Sequence, residues 1–134
     1  MTTAVSSAEQ SPLPPHPRDP GDAWVEAPTG ERYWGRFGAA GLLVLDKQDR
    51  VLLQHRAEWS HHGGTWGLPG GARHQGESAI DGALREAAEE AGVPRESVAS
   101  RALSVLDRGV WTYTTVIADD VTPFEPVISD TAGF

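Results

Sequence analysis

Glu86, Glu89 and Glu90 fall in the stretch REAAEE, residues 85–90. At 3.6 residues per turn, positions i, i+3 and i+4 share one helical face, so three like charges are stacked together. Each such pair costs roughly 0.2–0.5 kcal/mol. Gly92 reads as the residue just past the helix end. Glu89 and Glu90 then lie in the last turn, at the negative end of the helix dipole, where each carboxylate costs roughly another 0.3–1 kcal/mol. Arg85 is the only nearby cation on the helix. Divalent cations bound among the carboxylates would relieve the repulsion. Carboxylates from one helical face, a glycine-rich turn (LPGGARHQGE) that turns its backbone toward a ligand, and a backbone carbonyl make an all-oxygen cage. Such a cage suits Mg²⁺ or Mn²⁺, which commonly bridge to substrate phosphates, and does not suit zinc. Glu77 precedes the helix and can reach back to Arg85, pinning the loop to the helix.

These residues must be positioned by the surrounding elements. Ser78 is a good N-cap, with Asp81 three residues on. Ile80, Leu84, Ala87 and Ala91 form one apolar stripe with Ala83 at its edge, next to the acidic face. Gly82 falls among the acids, where a mid-helix glycine costs roughly 1 kcal/mol against alanine; close approach of another group and ordinary tolerance are both open readings. Upstream, WVEAPTGERYW reads as a short hairpin, and GLLVLDKQDRVLLQHR as two strands joined by a polar hairpin turn. EWSHHGGTWGLPGGARHQGE reads as loop, with a short extended piece at residues 65–68. After the helix, RALSVLD and VWTYTTVIA read as strands. The mixture is α+β with a mixed sheet. Residues 1–22 are rich in Pro, Ser and Asp and are expected to be a flexible tail containing His16, leaving residues 23–134 as one domain.

Bulk properties exclude some functions. The chain has 134 residues, a net charge of −8 and no cysteine. Disulfides, thiolate metal sites and cysteine nucleophiles are ruled out. The acidic balance argues against general nucleic-acid or anionic-membrane binding, and no apolar run is long enough to span a membrane. A cytoplasmic protein is the expectation.

The stretch GARHQGESAIDGALREAAEEAGV, residues 71–93, resembles the Nudix box: Gly, five residues, Glu, seven residues, then Arg-Glu-aliphatic-x-Glu-Glu-x-Gly-aliphatic. Gly71, Glu77, Arg85, Glu86, Glu89, Glu90 and Gly92 match. At background frequencies the chance of that is on the order of 10⁻⁸ per start position. Ala87 departs from the pattern, where a bulkier aliphatic is usual. GLLVLDKQDRVLLQHR and WGLPGG resemble the family as well.

The resemblance implies a Nudix fold, a mixed sheet between helices with the box as loop–helix–loop. It implies hydrolysis of a diphosphate linked to another group, usually with a nucleoside on one side, by water attack on phosphorus assisted by Mg²⁺ or Mn²⁺. Glu86, Glu89, Glu90 and the Gly71 carbonyl would be metal ligands, and Glu77 and Arg85 would brace the loop. The general base would be a box glutamate or a later carboxylate, for which Asp130 is the candidate; a solvated loop Asp is the plain alternative. Arg56 closes a strand where it could meet a phosphate. Trp34, Trp59, Trp66, Trp111 and Tyr113 could stack on a base or pack in the core, with Trp59 favoured for stacking because it lies in a loop. His61 and His62 could touch phosphate or be surface loop residues, and His74 is expected to be exposed.

One rival is a non-catalytic nucleotide-binding or sensor domain, but such domains usually lack box glutamates and all are present here. Another is isoprenoid isomerisation, which needs a cysteine. The proline that ADP-ribose-type members carry past the box is missing between Pro94 and Pro123, and no coenzyme-A-type signature is visible. Nucleoside triphosphates, oxidised nucleotides, dinucleoside polyphosphates and nucleotide sugars remain. The chain also reads as short of a C-terminal strand and helix, with TAGF only the start of a strand. That would leave a sheet edge unpaired and invite pairing with a second copy as a homodimer.

Overall fold

The computed structural model describes residues 19–55, 66–126 and 131–133. The helix α1, Ala79–Ala91, begins and ends where its caps place it. The Ser78 hydroxyl accepts from the Asp81 N–H at 3.0 Å. Gly92 sits at φ 65°, ψ 28°, a left-handed conformation that favours glycine. Its N–H donates to the Ala88 carbonyl, and that of Val93 to Ala87, both at 3.2 Å.

A four-stranded mixed sheet carries this helix. Its order is β6 (Gly70–Ala72), β3 (Ala39–Leu45), β8 (Thr112–Asp120) and β7 (Val98–Asp107). β3 and β8 are parallel, with Leu42 beside Val116 and Val44 beside Ala118; the other pairs are antiparallel. Alternation puts Ala40, Leu42, Val44, Val116 and Ala118 on one face, where they meet Ala83, Ala87 and Ala91 of α1 with no exposure. The helix therefore packs through methyl groups. Ala83, expected at the edge of the stripe, is at its centre, while Ile80 and Leu84 flank the core partly buried. Ala87, the departure from the usual box, lies in the middle of this close contact. After α1 a short 3₁₀ turn, Arg95–Ser97, leads into β7.

Two small sheets complete the described fold. β1 (Trp24–Glu26) pairs with β2 (Arg32–Trp34), as the sequence pattern suggests. β4 (Leu53–His55) lies between β5 (Trp66–Gly67) and β9 (Thr131–Gly133). The expected hairpin after β3 is only half realised. Its turn closes through Asp46 N–H to the Arg50 carbonyl and a Leu45–Val51 bridge, after which β4 leaves for the other sheet. The first residues of TAGF do form a strand, against β4. β7 is the edge of the four-stranded sheet, with Leu103, Val105 and Leu106 exposed. Among the described residues no helix is long and apolar enough to cross a membrane.

A further expectation needs correction. The glycine-rich stretch before the helix contains a strand, β6, rather than loop alone. Glycine is required there: a Cβ on Gly70 would lie 2.6 Å from the Ala40 carbonyl oxygen and 2.7 Å from the Gly41 Cα. Residues 1–18 of the expected flexible tail lie outside the described residues. Residues 19–22 form a turn, with Asp22 N–H donating to the Asp19 carbonyl at 2.9 Å and Gly21 buried.

Because backbone, not a movable side chain, faces Gly70, Gly70→Ala should force β6 away from β3. The expected cost is about 1–3 kcal/mol, as for other overpacked sites. Denaturant unfolding checks this, and a midpoint equal to wild type would show that the strand accommodates the methyl.

Candidate active site

Arg85 organises the loop between β6 and α1. Its Nε and Nη2 donate to the two carboxylate oxygens of Glu77 at 2.9 and 3.1 Å, a two-pronged pairing. Nη2 also reaches the Ala72 carbonyl at 3.0 Å. Nη1 donates to Glu86 at 3.2 Å and to Glu89 at 3.4 Å. Glu77 in turn accepts the His74 N–H at 2.8 Å. Partial burial pushes the Glu77 carboxyl up, but Arg85 and the His74 N–H outweigh it and hold it below the ordinary range. From the other side, the Arg73 guanidinium donates to the Glu77 backbone carbonyl at 2.8 and 3.1 Å. Gly82 lies under this knot: a Cβ there would meet Glu77 Oε1 at 3.1 Å and Arg73 Cγ at 3.3 Å. The mid-helix glycine thus sits where two side chains approach closely. His74 is half-buried rather than exposed.

The three helix glutamates separate into two environments. Glu86 lies flat on Gly71, so a Cβ at Gly71 would be 2.5 Å from its Oε2. Glu90 accepts the Gly70 N–H at 3.2 Å and is hydrogen-bonded to Glu86. Burial drives both carboxyls up. For Glu90 the neighbouring Glu86 charge adds to burial, and its pKa is pushed up to about 9. For Glu86 the attraction of Arg85 opposes the rise but does not cancel it. Two buried carboxyls side by side cannot both ionise cheaply, so they share a proton. Glu89 points outward to Arg85 with 57% of its side chain exposed.

The donor chemistry fits a hard divalent cation. Two carboxyls with raised pKa face a glycine backbone, every candidate ligand is oxygen, and neutral-pH ionisation of the pair calls for positive charge. Among the described residues, no group of three or more His, Asp or Glu is already arranged to hold a metal ion. Glu89 is instead turned toward Arg85, with most of its side chain exposed.

The aromatic candidates divide. Tyr33 and Trp111 stack on each other at 4.7 Å and 9°, and the Trp111 indole N–H donates to the Trp34 carbonyl at 3.1 Å. Trp34 packs edge-on against Trp24 at 5.1 Å. Tyr113 covers Gly41, whose Cβ would fall 2.0 Å from the phenol oxygen. Trp34, Trp111 and Tyr113 therefore hold the β1–β2 hairpin and the sheet together, while Trp66 is exposed on β5. Arg56, Trp59, His61, His62 and Asp130 lie outside the described residues, as does His16. Sequence reasoning missed Arg73, the Gly70 N–H and Asp19. Arg73 stood at a variable box position, and a backbone N–H leaves no mark in a sequence.

Two outcomes are expected. The metal-free fold retains a proton on the Glu86–Glu90 pair that the unfolded chain releases from about pH 4.5 upward. This contribution is complete below that pH and is lost as pH rises through about 9. Thermal melting in chelator should therefore show falling stability across that window. Glu90→Gln should flatten the fall by roughly 3–6 °C, about what 1 kcal/mol is worth in a domain of this size. Separately, Arg85→Ala strands Glu77, whose side chain is only 15% exposed. The expected loss is about 1–3 kcal/mol, below that of a fully buried pair. Arg85→Lys should recover only part, since lysine lacks the planar fork; full recovery in denaturant unfolding would show that charge alone suffices.

Residues 35–124 match the NUDIX domain family. The chain is 53% identical over 112 residues to "Putative 8-oxo-dGTP diphosphatase 3" of Mycobacterium tuberculosis, covering 76% of this chain and 52% of that protein. It is 47% identical over 114 residues to a nucleoside triphosphate pyrophosphatase/Nudix hydrolase fusion protein of Bifidobacterium longum, covering 79% of this chain and 24% of that one. Among solved structures, the Nudix hydrolase RenU of M. smegmatis superimposes with a TM-score of 0.75 at 46% identity, covering 84% of this chain and 78% of that chain. The chain spans about half the length of the M. tuberculosis relative and about a quarter of the fusion protein. The mixed sheet, the single box helix that packs on it and the Glu77–Arg85 loop agree with these likenesses: the chain belongs to the Nudix family.

Proposed function

We propose that the protein is a divalent-metal-dependent hydrolase of a diphosphate linkage in a nucleotide, with oxidised purine nucleoside triphosphates the first substrates to test. The observation that carries this reading is the buried Glu86–Glu90 pair, held against the Gly70–Gly71 backbone inside an intact Nudix box. The name of the M. tuberculosis relative, an 8-oxo-dGTP diphosphatase, supports the choice of substrate. Glu86, Glu89, Glu90 and the Gly71 carbonyl would hold Mg²⁺ or Mn²⁺. When bound, the cation lowers the pKa of water and neutralises charge on the phosphate oxygens.

The chain's own residues have the remaining tasks. Glu86 and Glu90 give up their shared proton to become full carboxylate donors. Arg85 and Glu77 keep the loop carrying Gly71 in register with the helix. A water oxygen bonds to phosphorus, the bridging P–O bond breaks, and the departing phosphate or pyrophosphate takes the electron pair. The water proton passes to a general base, either a box glutamate or Asp130.

Glu86→Gln and Glu90→Gln should each lower kcat by about 100-fold or more, typical of removing a group that acts on charge in the transition state, while the fold survives. The assay is turnover of 8-oxo-dGTP, dGTP, a dinucleoside polyphosphate and a nucleotide sugar with Mg²⁺ or Mn²⁺ in ¹⁸O water, with products weighed. Monophosphate plus pyrophosphate from a triphosphate, with label in one product, is the expected result. No hydrolysis of any of the four, or unchanged turnover in both variants, would remove the proposal.

A further inference from the structure

Asp19 stands well outside the Nudix box and touches it. Its Oδ2 accepts two backbone N–H groups, Gly21 at 2.8 Å and Gln75 at 2.9 Å, the second lying 56 residues away in sequence. Gln75 and Gly76 form the outermost part of the box loop, with Gly76 at φ 77°. Gly21 is pressed on the same loop: a Cβ there would lie 2.1 Å from the Arg73 carbonyl oxygen. The Gly21 carbonyl accepts the N–H groups of Ala23 and Arg36, both at 2.9 Å, which ties the turn to the segment between β2 and β3. Arg73, beneath Gly21, donates its N–H to the Gly38 carbonyl at 2.9 Å and its guanidinium to the Glu77 carbonyl. Hydrogen bonds thus join the turn at residues 19–22 to Gln75, and Arg73, two residues back along the same loop, to Glu77.

From this arrangement we infer that Asp19 is a positioning residue: with Gly21 it forms a strap that holds the outer side of the box loop, while Arg85 holds the inner side. Residues 73–78 of the loop carry no apolar side chain, so its conformation depends on hydrogen bonds to fixed neighbours. Arg73 and Gln75 follow directly on β6, which carries Gly71. Loosening them relaxes the path of the Gly71 carbonyl, and supports of this kind tune metal affinity from outside the ligand set. Both Asp19 contacts use one oxygen, so the strap needs an acceptor of that length and not a negative charge. Asparagine supplies the same carbonyl-type oxygen, and alanine supplies none.

The inference rests on metal-dependent action at this loop, so the test reads the strap and the metal separately. The 134-residue chain and its Asp19→Ala and Asp19→Asn variants are compared by amide hydrogen exchange without metal, by calorimetric Mn²⁺ titration and by thermal melting. Asp19→Ala should speed exchange at the Gln75 amide by about tenfold, leave the α1 amides unchanged and keep a cooperative melt. Its Mn²⁺ affinity should fall by about tenfold. Asp19→Asn should restore both. Wild-type exchange at Gln75 in Asp19→Ala overturns the strap. An asparagine variant as loose as the alanine one overturns the claim that an uncharged acceptor suffices, and loss of cooperative melting in Asp19→Ala overturns the local role by showing a contact that serves the whole fold. If Mn²⁺ binds none of the three chains, the metal reading fails, and the strap is then overturned as a positioning element even where the exchange pattern holds.

Discussion

The Arg85 guanidinium is the interaction on which the rest of the site depends. One side chain donates to five oxygens: both of Glu77, one each of Glu86 and Glu89, and the Ala72 carbonyl. Lysine could not do this, because its three donors diverge from one point while arginine's lie in a plane matched to a carboxylate. The geometry joins strand β6, the loop and the helix through a single cation. Burial alone would lower the affinity of Arg85 for its proton, yet the surrounding carboxylates raise it above the ordinary value. The charge on Arg85 is therefore permanent.

Close approach is the second constraint, and it follows from the first. For Arg85 and Glu86 to reach β6, the helix must lie near the sheet. Ala83, Ala87 and Ala91 permit this by presenting only methyl groups to Leu42, Val44 and Val116. Small residues bury less area than leucine, so each gives up roughly 1 kcal/mol or more of apolar stabilisation. The glycines continue the pattern on the sheet side. Gly71 leaves room for the Glu86 carboxylate and Gly70 for the backbone of β3. What looks from composition like a weak core is the geometric condition for carboxylates to touch backbone.

Much of this was legible in the residues, for definite physical reasons. Ser78 and Gly92 mark helix ends because caps are local, and Glu77–Arg85 could be paired from spacing and charge. β6 was not legible: a strand of Gly70, Gly71 and Ala72 shows no alternation, since two of its residues have no side chain to alternate. The departure of β4 from β3 was hidden because a hairpin turn reads the same whether the second strand stays or leaves. Asp19 was invisible for another reason. A Pro- and Asp-rich segment carries no apolar signal, and the contact that orders its end is a pair of backbone N–H groups distant in sequence. The split between Glu86–Glu90 and Glu89 also escaped, because helical spacing gives the face but not which carboxylates are pressed against the strand.

The position of the acids at the end of α1 then acquires a physical sense. The last turn has no basic residue, so neither the helix dipole nor a neighbour on that turn favours ionising Glu90. Arg85 sits one turn earlier and is already shared among five oxygens. The fold meets the deficit with a proton held between Glu86 and Glu90, a neutral solution that works only while nothing positive approaches. Any cation entering beside Gly71 competes with that proton and gains from the same burial that raised the pKa, because a low-dielectric surrounding strengthens attraction as much as repulsion. The repulsion that makes the sequence REAAEE unfavourable as a bare helix is thus what would make the site selective for positive charge. An acidic chain of net charge −8 can in this way handle an anionic phosphate, provided the cation stands between them.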